Sequence, residues 1–354
     1  MPQVLYRKYR PKTFEEVEGQ EHVVRTLQGA LASGRIGHAY FFCGPRGTGK
    51  TTMARLLAKE LNCLHNDLKT VPPKIKNKTR PCACSFCRSV DDGNSLDIIE
   101  IDAASNRGID EIRNLKESAT VAAPSAAFKV FIIDEVHMLT PPAFNALLKI
   151  LEEPPSHVVF VLATTEPHKV PDTVLSRVQR FDFKKITVDK IQKKLGEIAK
   201  KEKIDIEDSA LVMLAASSSG SLRDAESALN KLMAYSGGKI TDEQVSEALG
   251  IVPHQVYEKM LGLITQKNSQ EAISQVAHLY ESGVDMDNFN RQFVRYLRGE
   301  LMGILSKPVT APPDRISPEF LIKTINIFVK AGNELRFSPI PQLPVELAIL
   351  EAIK

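Results

Sequence analysis

Gly44-Pro45-Arg46-Gly47-Thr48-Gly49-Lys50-Thr51 fits the pattern G-x-x-x-x-G-K-T. It follows the apolar run Ala39-Tyr40-Phe41-Phe42-Cys43 and leads into Thr52-Met53-Ala54-Arg55-Leu56-Leu57-Ala58-Lys59-Glu60-Leu61, which reads as a helix. Strand, glycine loop and helix are the context in which this pattern cradles phosphate. The glycines let backbone N–H groups turn inward, and the helix start adds the positive end of its dipole. Lys50 is placed for the β- and γ-phosphates and the Thr51 hydroxyl for Mg²⁺. Gly44, Pro45, Arg46, Gly47, Thr48, Gly49 and Thr52 complete this part of the candidate nucleotide site.

Downstream, Lys129-Val130-Phe131-Ile132-Ile133 reads as a strand buried on both faces and ends in Asp134-Glu135. Asp134 is the candidate Mg²⁺ ligand, direct or through water. Glu135 is the candidate general base for an attacking water. Acidic pairs at strand ends are common; this one gains weight by following a glycine loop in an alternating strand–helix chain.

Residues 1–184 alternate strand-like runs with helical patterns, which argues for a parallel α/β sheet. The expected strands are 39–43, 97–101, 130–133, 158–163 and an edge strand 179–183. The chain then turns helical, with expected helices 188–201, 208–217, 222–235 and 242–249 in one unit. A second helical unit holds 256–265, 269–281, 286–305, 319–332 and 343–354. The expected domains are therefore 1–184, 185–250 and 251–354. The chain has 354 residues, 43% apolar, with a net charge of only +3, so contacts to nucleic acid must come from local basic patches. No apolar run reaches membrane-spanning length, and the basic start lacks a signal-peptide core. The chain reads as cytosolic, and its cysteines as thiols or metal ligands rather than disulfides.

Cys82, Cys84 and Cys87 cluster after the polar, Pro-containing stretch 65–81, and Cys63 precedes that stretch. Cys84-x-x-Cys87 is ligand-like spacing, and four thiolates suit tetrahedral Zn²⁺. The insertion has little apolar content to organise it, and a bound metal would supply that energy. The Cys82-Ala-Cys84 gap is tighter than usual, and His65 is the nearest substitute ligand. Cys43 reads as core.

With these parts in place, the chain resembles the gamma/tau subunits of bacterial DNA polymerase III clamp loaders, which are AAA+ ATPases. The likeness rests on Tyr6-Arg7-Lys8-Tyr9-Arg10-Pro11-Lys12-Thr13-Phe14, Gly19-Gln20, the phosphate loop, Ile101-Asp102-Ala103-Ala104-Ser105-Asn106 and Ile133-Asp134-Glu135-Val136-His137-Met138-Leu139. It continues through Phe144-Asn145-Ala146-Leu147-Leu148-Lys149, Leu151-Glu152-Glu153-Pro154-Pro155, Ala163-Thr164-Thr165-Glu166-Pro167 and Gly220-Ser221-Leu222-Arg223-Asp224-Ala225. The resemblance implies a RecA-like ATPase domain with an inserted zinc module at 63–87, a small helical lid and a C-terminal helical collar. It implies that residues 5–20, including Arg10, Pro11 and Val17, form the adenine side of the pocket. Thr165 fits the first sensor and Arg223 the second. Ser176-Arg177 fits the family's Ser-Arg-Cys motif, whose Arg reaches a neighbour's ATP in trans, although Val178 stands where the Cys is usual. Arg107, Lys149 and Lys169 lie on segments that face DNA in such loaders.

The implied activity is that of an ATP-hydrolysing motor that opens a sliding clamp and loads it onto primer-template DNA, with no polymerase site of its own. The implied cofactors are ATP, Mg²⁺ and Zn²⁺. Implied partners are subunits of delta and delta-prime type and further copies of the chain in a five-membered ring, in the bacterial cytoplasm at replication forks. Two rivals remain: another AAA+ motor, such as a branch-migration helicase, and a non-catalytic scaffold of delta-prime type. The cysteine cluster and helical C-terminal part speak against the first. Intact Lys50, Thr51, Asp134 and Glu135 speak against the second.

Overall fold

The computed structural model describes residues 4–64, 82, 84–124, 126–235, 238–250, 252–306 and 316–354. The stretch 65–81 with His65, and most of the proline-rich stretch 307–318, lie outside the described residues. The chain forms two compact units, Met1–Lys239 and Ile240–Lys354.

The first unit begins with α1 (Leu5–Lys8), α2 (Glu21–Ser33), β1 (Ala39–Cys43), α3 (Lys50–Asn62) and α4 (Ser85–Asp91). It continues with β2 (Ile98–Asp102), α5 (Ile109–Thr120), β3 (Lys129–Asp134), α6 (Pro141–Glu152), β4 (Val158–Thr164), α7 (Asp172–Leu175) and β5 (Gln179–Asp182). The five strands are parallel, in the order β2-β3-β4-β1-β5. β2 starts and ends one residue later than the sequence pattern predicts, and β5 stops at Asp182.

Side-chain alternation divides the sheet between two cores. Phe41, Phe131, Ile133 and Phe160 face one side, against Ile112 and Leu115 of α5 and Phe144 and Leu147 of α6. Tyr40, Phe42, Val130 and Ile132 face the other, against Leu27 of α2 and Met53 and Leu57 of α3. Central strands buried on both faces read as continuous apolar runs for this reason. β4 lies between β1 and β3, so the C-terminal ends of all three strands open at one edge of the sheet, where ligands of such sheets bind.

Helices α8 (Val188–Glu202), α9 (Asp208–Ser217) and α10 (Leu222–Tyr235) pack around Leu195, Leu214 and Leu229. The Leu222 amide donates to the Gly47 carbonyl at 3.2 Å, which docks the start of α10 on the phosphate loop. The N-terminal segment straps onto the same helices. Tyr9 Oη donates to Glu202 at 2.5 Å, and the Leu5 amide to Asn230 Oδ1 at 3.4 Å.

The second unit holds α11 (Asp242–Leu249), α12 (His254–Thr265), α13 (Ser269–Glu281), α14 (Met286–Leu305), α15 (Pro318–Leu335) and α16 (Leu343–Ile353). Its core gathers Tyr257, Phe289, Phe293, Phe328, Val345 and Ile349. Phe293 meets Phe328 edge-on at 4.9 Å, and buried Asn290 donates to the Phe328 carbonyl at 3.0 Å. Leu343, Leu347 and Leu350 on α16, and Ile322 and Val329 on α15, remain exposed. Among the described residues no helix is long and apolar enough to cross a membrane.

Candidate nucleotide site and cysteine centre

The phosphate loop needs glycine at two positions for steric reasons. Gly44 has φ +148°, and a Cβ there would lie 2.3 Å from the Phe183 carbonyl oxygen. Gly47 has φ +73°, and its Cβ would lie 1.9 Å from Ser221 Oγ. Lys50 is buried, and its Nζ donates to the carbonyls of Gly44 and Pro45, each at 2.9 Å. Burial lowers its pKa from the ordinary lysine value, while Glu135 and Asp134 pull the other way. Gly44 and Pro45 thus hold the lysine from behind, and Arg46 through Thr52 line the cleft.

Thr51 Oγ1 donates to Asp134 Oδ2 at 2.7 Å. Two oxygen donors that touch at the mouth of a phosphate cradle suit Mg²⁺, which takes few protein ligands and keeps several waters. Glu135 follows in the left-handed region, φ 46°. That conformation is uncommon for a residue with a Cβ, and it turns the carboxylate along the strand ends. Its Oε2 accepts from Thr165 N at 3.1 Å and Thr165 Oγ1 at 2.9 Å. Thr165 reaches it because β4 neighbours β3. His137 joins the group, with Nδ1 2.9 Å from Thr164 Oγ1 and 3.4 Å from Glu135 Oε2. Its Nε2 lies 3.1 Å from Glu166, which pairs with Lys169 at 2.6 Å.

Arg10, Pro11 and Val17 line the far end of the cleft, together with Tyr6, Glu18 and Ile186. Burial, and then the charge of Arg55, lowers the pKa of Arg10. Arg223 lines the cleft from α10, its guanidinium 5.0 Å from the centre of the Tyr6 ring. Arg177 does not line it. That guanidinium pairs with Glu152 at 2.7 Å and donates to the Thr173 carbonyl at 2.6 Å. Arg107 and Lys149 are exposed, as is Lys169, and none of the three lies in the cleft. The sequence pattern did not single out Glu18, Ile186 or Glu226. Glu18 sits inside the 5–20 stretch, but nothing local marks the other two.

The four cysteines converge. All are free thiols, and the sulfurs of Cys63, Cys82, Cys84 and Cys87 lie within 4.8 Å of one another. The Cys63–Cys82 sulfur separation is 3.7 Å, close to the edge of a tetrahedron with Zn–S bonds of about 2.3 Å. Cys84 also caps α4, accepting from the Cys87 amide at 3.4 Å. Burial raises the Cys82 thiol. At Cys84 burial also acts upward, but the Cys87 and Leu64 amides together with the Cys87 and Cys82 thiols outweigh it and the pKa falls. The tight Cys82-Ala-Cys84 gap does not keep these two sulfurs from the cluster. Behind it, Lys59 on α3 pairs with Asp91 of α4 at 2.7 Å.

A family model described as "DNA polymerase III, delta subunit" matches residues 19–187. A second, "DNA polymerase III clamp loader subunit, ATPase lid domain", matches residues 190–238. DNA polymerase III subunit gamma of Buchnera aphidicola (subsp. Acyrthosiphon pisum) is 33% identical over 99% of this chain and 98% of its own. The chain belongs to the gamma/tau family of DNA polymerase III subunits. DNA polymerase III subunit tau of Bacillus subtilis is 38% identical over 99% of this chain and 63% of its own length. For subunit tau of Escherichia coli the identity is 38%, over 99% of this chain and 55% of the relative. The chain thus spans little more than half the length of several tau relatives. Among solved structures, the Thermotoga maritima RuvB branch migration motor superposes with a TM-score of 0.51 at 19% identity, over 72% of this chain and 79% of that one. That likeness shows a shared fold over the superposed part of the gamma/tau chain and nothing about its reaction.

Proposed function

We propose that this gamma/tau chain is the ATP-hydrolysing motor of a replicative clamp loader within the DNA polymerase III holoenzyme. One observation carries the reading: Lys50, the Thr51–Asp134 pair and the Glu135–Thr165 pair meet at the ends of adjacent strands, in a cleft that Arg223 closes from α10. A scaffold without catalysis has no use for a carboxylate aligned beside a complete phosphate loop. The RuvB likeness concerns fold alone, so it does not favour a helicase.

ATP binds with its phosphates on the loop amides and Lys50. Thr51 and Asp134 would hold Mg²⁺, which would supply charge neutralisation for the phosphates. Glu135 takes a proton from the attacking water, and Thr165 orients Glu135. Arg223 senses the γ-phosphate and couples the helices after residue 185 to the nucleotide. Arg177 serves the site of the next subunit, where it stabilises charge developing on the phosphoryl group.

The division into ATPase domain 1–184, lid 185–250 and collar 251–354 belongs to the same proposal. Exposed apolar rows on α15 and α16 support the collar role, since large exposed apolar patches mark association surfaces. The collar assembles a five-membered ring with delta-type and delta-prime-type subunits and further copies of the chain. Cys63, Cys82, Cys84 and Cys87 would hold Zn²⁺, which would tie α4 to the end of α3. Arg107, Lys149 and Lys169 contact primer-template DNA phosphates. The ring works in the bacterial cytoplasm at replication forks, opening the clamp with ATP bound and releasing it closed on DNA after hydrolysis. The test is ATP hydrolysis by the reconstituted assembly, with and without clamp and primed DNA. Stimulation by both together supports the reading; hydrolysis indifferent to both contradicts it.

A further inference from the structure

Two carboxyl groups in the cleft, Glu18 and Glu226, have no hydrogen bond or ion pair among the described residues, and only Glu226 is buried. Glu226 on α10 is only 5% exposed and lines the same cavity as Lys50 and Arg10. No hydrogen bond or ion pair satisfies it among the described residues; its surroundings are burial and the more distant charges of Lys194 and Arg10. The residue is buried but its carboxyl opens onto the cavity, the one direction from which a hydrogen-bond partner can reach it. Facing a ligand cavity, such a group points to a partner that arrives with the ligand.

The position along α10 identifies which part of the ligand. The helix starts at the phosphate loop, where the Leu222 amide donates to Gly47. Two turns later, Asn230 accepts from the amide of Leu5 at the start of α1. Glu226 is one turn, about 5.4 Å, beyond Leu222 on the same face. A nucleotide whose phosphates lie on the loop therefore places its nucleoside, not its phosphates, beside Glu226. The neighbouring wall is apolar, with Pro11, Val17, Ile186 and Leu222, which suits a flat base. Burial pushes the carboxyl up to about 7, so it enters this wall without the full penalty of a fixed charge.

We propose that Glu226 is a specificity-determining residue, its carboxyl oxygen accepting a hydrogen bond from the exocyclic amine of the bound adenine. The inference rests on the ATP reading above. It adds a polar contact for the base to a pocket end otherwise defined by shape.

The test is equilibrium binding by calorimetry on the full chain, using ATP, purine riboside triphosphate, which lacks the amine, and 2′-deoxy-ATP. Wild type should prefer ATP over purine riboside triphosphate by about tenfold, the scale of one buried hydrogen bond. Glu226→Gln keeps an acceptor oxygen and should keep the preference. Glu226→Leu should abolish it while leaving affinity for purine riboside triphosphate within about twofold, which also shows that the variant folds. Equal binding of the two nucleotides by wild type overturns the assignment without any variant. So does an undiminished preference in Glu226→Leu. A preference against 2′-deoxy-ATP that vanishes in Glu226→Leu, with the amine irrelevant, places the contact on the sugar and overturns the base assignment. Wild type that binds none of the three triphosphates fails the ATP reading itself.

Discussion

Gly47→Ala probes the joint between the phosphate loop and the helices that close over it. At φ +73° the new Cβ would stand 1.9 Å from Ser221 Oγ and 2.9 Å from Ser221 Cβ. Ordinary contact at these atoms needs more than 3 Å. Ser221 can turn its hydroxyl aside only by giving up its bond from the Asp224 amide, 3.2 Å, which caps α10. Losing such a cap costs about 1 kcal/mol, and a left-handed residue with a Cβ costs about 1–2 kcal/mol. The sum is about 2–3 kcal/mol if the helix stays docked. For a unit of this size, Met1–Lys239, that corresponds to a fall in Tm of about 5–10 °C. Thermal unfolding monitored by calorimetry reads it, with ATP affinity measured on the same samples. Ser221→Gly should restore part of the lost stability in the double variant, because it removes the collision, and glycine at a helix cap costs only a few tenths of a kcal/mol relative to serine. A single variant that melts at the wild-type temperature and binds ATP normally would refute the docked geometry of α10.

Protein purified without added metal should carry about one zinc per chain, and replacing Cys63, Cys82, Cys84 or Cys87 with Ser should lower that content; metal-free, fully folded wild type on elemental analysis contradicts the site. Glu226 has a folded-state pKa raised from 4.5 to about 7, so its contribution to stability is fully present below about 4.5 and is lost as pH rises through about 7. Denaturant unfolding at pH 5 and pH 8 should show wild type losing up to about 3 kcal/mol relative to Glu226→Leu over that interval, and parallel pH curves would argue against the shift. Arg177→Ala should leave ATP binding to its own subunit intact but lower hydrolysis in the DNA-stimulated assembly by about 10³-fold. Mixing it with Glu135→Gln subunits should restore working interfaces, and mixed rings no more active than either variant alone would exclude a role in trans.

The phosphate loop and the Asp134–Glu135 strand end were legible because each is a local pattern whose chemistry sits within a few residues. The sheet was legible because buried parallel strands are continuous apolar runs. Its order was not: nothing in residues 158–164 announces that β4 lies between β1 and β3, yet only that placement lets Thr165 grip Glu135. The cysteine spacings implied a metal centre, but convergence of Cys63 on the other three depends on how α4 packs against α3. Glu226 was invisible for a different reason. A glutamate on an amphipathic helix reads as a solvent-facing charge, and only the docking of α10 against the N-terminal segment buries it. His137 likewise reads as one letter of a motif until the fold sets it between Glu135 and Glu166.

The most direct test of the motor reading compares nucleotide retention and turnover in wild type, Lys50→Ala and Glu135→Gln, each assembled with its partner subunits, clamp and primed DNA. Lys50 supplies the buried cation for the phosphates, so Lys50→Ala should neither retain nor hydrolyse ATP. Glu135 supplies only the base for the attacking water, so Glu135→Gln should retain ATP unhydrolysed and hold the clamp without releasing it closed on DNA. A Glu135→Gln assembly that turns over ATP and releases clamps at the wild-type rate would contradict the account.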